Sequence, residues 1–82
     1  MMPLSALLSE NGLPDLPVLL IEPHRNRQGS WRIKFSYDCG EPLSMATEQA
    51  VAMAGQLHRI GEADLADEID AAIKTARRYE SM

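Results

Sequence analysis

Between Ser44 and Tyr79 the chain carries two apolar stripes of helical period, separated by a single glycine at Gly61. No other stretch has so clear a period, and the rest of the chain must be arranged around it. In the second half, Leu65, Ile69, Ala72, Ile73, Ala76 and Tyr79 recur every three or four residues. That spacing places them on one face of an α-helix. Asp64, Asp67, Asp70, Lys74, Arg77 and Arg78 fall on the other faces. Acids come early and bases late, the order the helix macrodipole favours. Asp70 and Lys74 add a favourable i,i+4 pair.

In the first half, Ala46, Ala50, Met53, Ala54, Leu57 and Ile60 form a matching stripe after Pro42. Ser44 is the expected N-cap, since its hydroxyl accepts a bond from an early free amide. Val51 lies off the stripe and implies a second neighbour. Gly61 follows the last apolar residue and reads as a left-handed C-cap. So short a link makes the two helices spatial neighbours.

Upstream, the period changes from helical to two. Trp31, Ile33, Phe35 and Tyr37 alternate with Arg32, Lys34, Ser36 and Asp38, so Ser30–Asp38 is a strand with one apolar face. Val18–Glu22 is a second short strand between Pro17 and Pro23, prolines that suit an edge or a strand end. Arg25–Gly29 is the turn between them, and Cys39–Pro42 leads into the helices. Pro3–Ser9 has the makings of a short helix closed by Gly12. Leu13–Pro17 reads as an extended link, because its prolines forbid regular helix. The expected fold is therefore α+β: a small two-layer domain with a β-hairpin followed by an antiparallel helix pair (ββαα). Residues 18–82 form this domain, and residues 1–17 form an N-terminal covering segment with a possible short helix.

With 82 residues the chain makes one small domain. Such a domain buries roughly 60% of the surface its unfolded chain exposes, which leaves stability marginal. Its 45% hydrophobic content argues against disorder. A net charge of −4 disfavours bulk nucleic-acid binding but leaves room for a local basic patch. The single cysteine, Cys39, excludes an internal disulfide and points to a reducing, cytoplasmic setting. The apolar run Val18–Ile21 is far short of the ~20 residues of a membrane span. Met1–Leu8 lacks the basic region of a signal peptide.

No constellation of catalytic, cofactor-binding or metal-ligating residues is assigned from the sequence. Asp64 and Glu68 have a chelating i,i+4 spacing, but one helix face supplies too few oxygens for a hard cation. His24 and His58 belong to no spaced metal motif. Cys39 lies among Asp38 and Glu41, which disfavour its thiolate. No nucleophile elbow or phosphate loop is present.

One local anomaly remains. His24, Arg25, Arg27, Arg32 and Lys34 place half of the eight Lys and Arg residues on the hairpin of an acidic chain. They are the candidate partner-binding residues, able to grip phosphates or an acidic protein. The competing reading is an edge hairpin guarded by charge, since no aromatic shares their face to stack a base. The hairpin and helix pair, joined through Gly61–Ala66, look generic for small bacterial or phage proteins and carry no family motif. The first functional expectation is a non-enzymatic protein-interaction or regulatory module that forms a homodimer through its sheet or N-terminal segment, with a further protein partner of unknown identity. A nucleic-acid or polyanion binder is the alternative. A small enzyme with a site across a dimer interface is the third.

Overall fold

The computed structural model describes residues 3–15 and 17–81. In chain order it contains α1 (Leu4–Glu10), β1 (Val18–Arg25), β2 (Trp31–Tyr37), β3 (Leu43–Ala46), α2 (Thr47–Arg59) and α3 (Ala63–Glu80). The strands form one antiparallel sheet in the order β1-β2-β3. The helices cover one face of it, giving the expected α+β domain with a third strand added. Part of the expected Leu13–Pro17 link, Leu16, lies outside the described residues.

The period-two reading of β2 is realised in burial. Ile33, Phe35 and Tyr37 are buried, while Arg32, Lys34 and Ser36 are only partly covered. Against this face pack Met53 and Leu57 of α2 and Ile69, Ile73 and Ala76 of α3, all in the same buried cluster. Ala66 and Ala72 are also buried, and small side chains there let α3 lie close to its neighbours. Tyr79, at the end of the stripe, is exposed on one side and stacks on Trp31 with the other.

The helix pair turns at Gly61, whose φ is +88°. Glu62 N–H donates to Leu57 C=O at 2.9 Å and Gly61 N–H to His58 C=O at 3.3 Å. This is the Schellman arrangement, which satisfies two carbonyls that the helix end leaves free. The same device closes α1. Leu13 N–H donates to Leu8 C=O at 2.8 Å, and Gly12 has φ +76°. Leu7, Leu8 and Leu13 are all buried in the common core. Asn11 ties α1 down further: its Nδ2 donates to Leu7 C=O at 2.9 Å, and its Oδ1 accepts from Gln49 of α2 at 3.3 Å.

Five local expectations are corrected. Ser44 is not an N-cap but the second residue of β3, and Ala46 is a strand end rather than part of the helical stripe. Leu43–Ala46 pairs with Arg32–Phe35, and Met45 turns inward to 2% exposure. Burying Met45 and pairing the backbone outweighs a single capping bond. The helix then starts at Thr47 with no side-chain cap. β1 runs past Pro23 to Arg25, because an edge strand tolerates a residue without an amide hydrogen. Asp70 turns toward His58 rather than forming the expected pair with Lys74. Val51, expected to meet a second neighbour, is exposed among the described residues and borders an open groove beside Asp70, Ile73 and Lys74.

Candidate interaction surfaces

The hairpin tip is built around Asn26. Its Oδ1 accepts from Gln28 N–H at 3.0 Å and Ser30 N–H at 2.8 Å, while its own N–H donates to Ser30 C=O at 2.9 Å. A short side chain that mimics a backbone turn in this way fixes the loop. Arg27 lies in this loop, while Arg25, expected as the first turn residue, is the last residue of β1. Arg25 is paired across the hairpin with Trp31, and its Nε donates to Gly29 C=O at 3.4 Å.

The other three basic residues share the sheet face away from the helices. His24 is in register with Arg32, and Glu22 with Lys34. Much of their charge is already engaged. Lys34 Nζ lies 3.6 Å from Glu22 Oε1. Arg32 donates from Nε to Ser44 Oγ at 3.0 Å and from Nη2 to Ser44 C=O at 3.3 Å. A shallow pocket of about 240 Å³ lies among His24, Lys34, Pro42, Leu43 and Ser44. The structure thus brings His24, Arg32 and Lys34 together, leaves Arg25 and Arg27 at the loop, and sets a carboxylate among them.

A second surface lies along β1. The register slips between Val18, opposite Tyr37, and Leu20, opposite Ser36, so one extra residue is inserted on β1. Such a bulge changes which side chains face inward. Val18 and Ile21 pack against the core, three residues apart, and the two leucines between them are released outward. Leu19 is 63% and Leu20 51% exposed. They border a groove of about 290 Å³ formed with Ile21 and Pro23 of β1 and with Glu68, Ala71, Ala72 and Thr75 of α3. The Thr75 hydroxyl donates back to Ala71 C=O at 3.0 Å, so its polar demand is met within α3. The result is a trough of mixed character, with Glu68 on its α3 wall, beside the free edge of an eight-residue strand. The sequence shows the run Val18–Ile21 as apolar on both sides; that Ala71 and Thr75 form the opposite wall depends on how α3 crosses the sheet.

A third cluster was not legible in the sequence. His58, at the end of α2, lies against Asp67 and Asp70 of α3. Its Nε2 is 3.2 Å from Asp70 Oδ2 and 3.8 Å from Asp67 Oδ1, and all three side chains are exposed. The acidic pair considered in the sequence, Asp64 and Glu68, is not the pair that meets a histidine. The available signal was the Gly61 hinge, which folds the last turn of α2 onto the second turn of α3.

Among the described residues one polar side-chain atom is buried without a hydrogen-bond partner, the hydroxyl of Tyr37. Burial holds its pKa above the ordinary value of 10.0, because the phenolate would lose hydration. Cys39 is exposed in the turn after β2. No helix among the described residues is long and apolar enough to cross a membrane. Comparison of the chain with family models, with curated proteins and with solved structures finds no match.

Proposed function

We propose that this chain is a non-enzymatic protein-interaction module of the cytoplasm that pairs with a second copy of itself along β1. The observation that carries the reading is the exposure of adjacent Leu19 and Leu20 on a free sheet edge. Two neighbouring leucines left in water on a strand edge favour association, while the bulge at Leu19 and the ring of Pro23 limit the length of ladder that edge can form. The sequence around them suits a twofold partner. Val18–Glu22 is flanked by Pro17 and Pro23. Antiparallel pairing of two copies about Leu20 sets Pro17 of each against Pro23 of the other. The ladder then ends where neither chain has an amide hydrogen to leave unpaired. Twofold closure also consumes both edges, so pairing does not propagate.

Replacing Leu20 with lysine tests this. A charge at the twofold centre faces its own copy, and the variant is expected to sediment at half the mass of the parent with an unchanged circular dichroism spectrum. Equal masses for parent and variant would remove β1 as the interface.

Polyanion binding by the hairpin is a second reading, favoured by the shared face of His24, Arg32 and Lys34. Glu22 and Ser44 already occupy two of those cations, which weakens it. Retention on heparin at low salt, lost on changing Arg25 and Arg27 to glutamate, would support it. Passage of the parent protein through the column unretained would end it.

A further inference from the structure

His58 presents one imidazole nitrogen to two carboxylates. Nε2 carries at most one proton and donates to one carboxylate at a time. Asp70, at 3.2 Å, is placed to take it. Asp67 then sits at 3.8 Å from the same nitrogen, beside a like charge. One potential ligand atom from each of the three residues lies within 4.8 Å of the others.

We propose that His58, Asp67 and Asp70 bind a divalent transition cation of the zinc class. Zinc holds imidazole nitrogen and carboxylate oxygen at about 2.0–2.2 Å, so ligand atoms around a tetrahedral ion stand about 3.4 Å apart. The two separations from Nε2, 3.2 and 3.8 Å, bracket that length. A dication also removes the repulsion between the two aspartates. An imidazole with two carboxylates suits zinc, manganese or nickel, whereas magnesium and calcium prefer oxygen ligands alone.

The site is preformed by backbone geometry. Asp67 and Asp70 are three residues apart on α3 and so lie on one face. His58 occupies the last turn of α2, and its carbonyl is held by Gly61 N–H at 3.3 Å. Both ligand-bearing segments are helical, with the Schellman turn fixing one against the other. Exposure of all three residues leaves the remaining coordination positions to water. The cation would clip the end of α2 to the second turn of α3, and so stabilise the folded chain by an amount that grows with the logarithm of its concentration above Kd.

The experiment uses the untagged full chain carrying Cys39→Ser, so that no thiol competes, and zinc chloride as the probe. Calorimetric titration is expected to give one zinc per chain, and the thermal midpoint is expected to rise with zinc and fall back with EDTA. Magnesium chloride at the same concentrations should change neither. His58→Gln and Asp70→Asn should each weaken zinc binding on the order of tenfold or more, the scale at which even an outer partner of a ligand counts. His24→Gln should leave it unchanged. The imidazole nitrogen resonances supply a readout on the parent sequence: zinc should move those of His58 and not those of His24. Absence of heat and of any His58 shift would overturn the proposal. So would binding that survives both ligand substitutions, or one that follows His24. One zinc per two chains would place the ion between copies and overturn the intrachain site.

Discussion

The rings of Trp31 and Tyr79 stack with centroids 5.1 Å apart and planes inclined by 30°. The contact joins the first residue of β2 to the last turn of α3, and so clamps the open end of the sheet–helix sandwich. Trp31 is the only tryptophan, which makes its fluorescence a reporter of this contact. Tyr79→Ala is expected to lose about 0.5–1.5 kcal/mol of ring pairing beyond the area lost, and to shift Trp31 emission to the red. Unchanged emission and an unchanged urea midpoint would mean that the end of α3 is not docked.

Tyr37 gives a pH dependence of defined sign. Its buried hydroxyl has no partner, and its pKa is raised by burial. A raised folded value contributes stability that is fully present below the ordinary 10.0 and is lost as pH climbs through the folded value. Tyr37→Phe removes both the ionisation and the unpaired hydroxyl. The variant should match or exceed the parent in urea stability by about 1 kcal/mol at neutral pH, and decline less above pH 10.0. A destabilised Tyr37→Phe would imply a hydrogen-bond partner for the hydroxyl.

Gly61 is held at φ +88°, and a Cβ built there would meet nothing within 4 Å. The cost of Gly61→Ala is therefore conformational rather than steric, about 1–2 kcal/mol. Urea unfolding measures it. A neutral substitution would show that the hinge does not need the left-handed backbone.

Ile69 is fully buried at the centre of the core, whereas Gln56 is exposed on α2. Ile69→Ala is expected to cost about 2–5 kcal/mol and Gln56→Ala within about 0.5 kcal/mol of nothing. Equal midpoint shifts would contradict the orientation of both helices.

Much of this architecture was legible because long periodic segments leave few alternatives. The spacing of Leu65, Ile69, Ile73 and Ala76 determines the buried face of α3, and the alternation from Trp31 to Tyr37 determines that of β2. β3 was not legible. Leu43–Ala46 is too short to show a period, and Ser44 has the chemistry of a helix cap as well as of a strand residue facing Arg32. The bulge at Leu19 was hidden for a similar reason: four apolar residues in a row do not reveal which two face inward. Of the basic hairpin residues, the common face of Arg32 and Lys34 follows from alternation. The engagement of Lys34 by Glu22 depends on strand register, which the loop length alone does not determine. The meeting of His58 with Asp67 and Asp70 depends on the rotation of one helix against the other.

Light scattering reads self-association along β1 as a change of mass with concentration. The mass of the untagged chain should approach twice 9.1 kDa at tens of micromolar and fall toward 9.1 kDa on dilution. A mass of 9.1 kDa at every concentration, in low salt as in high, would contradict it.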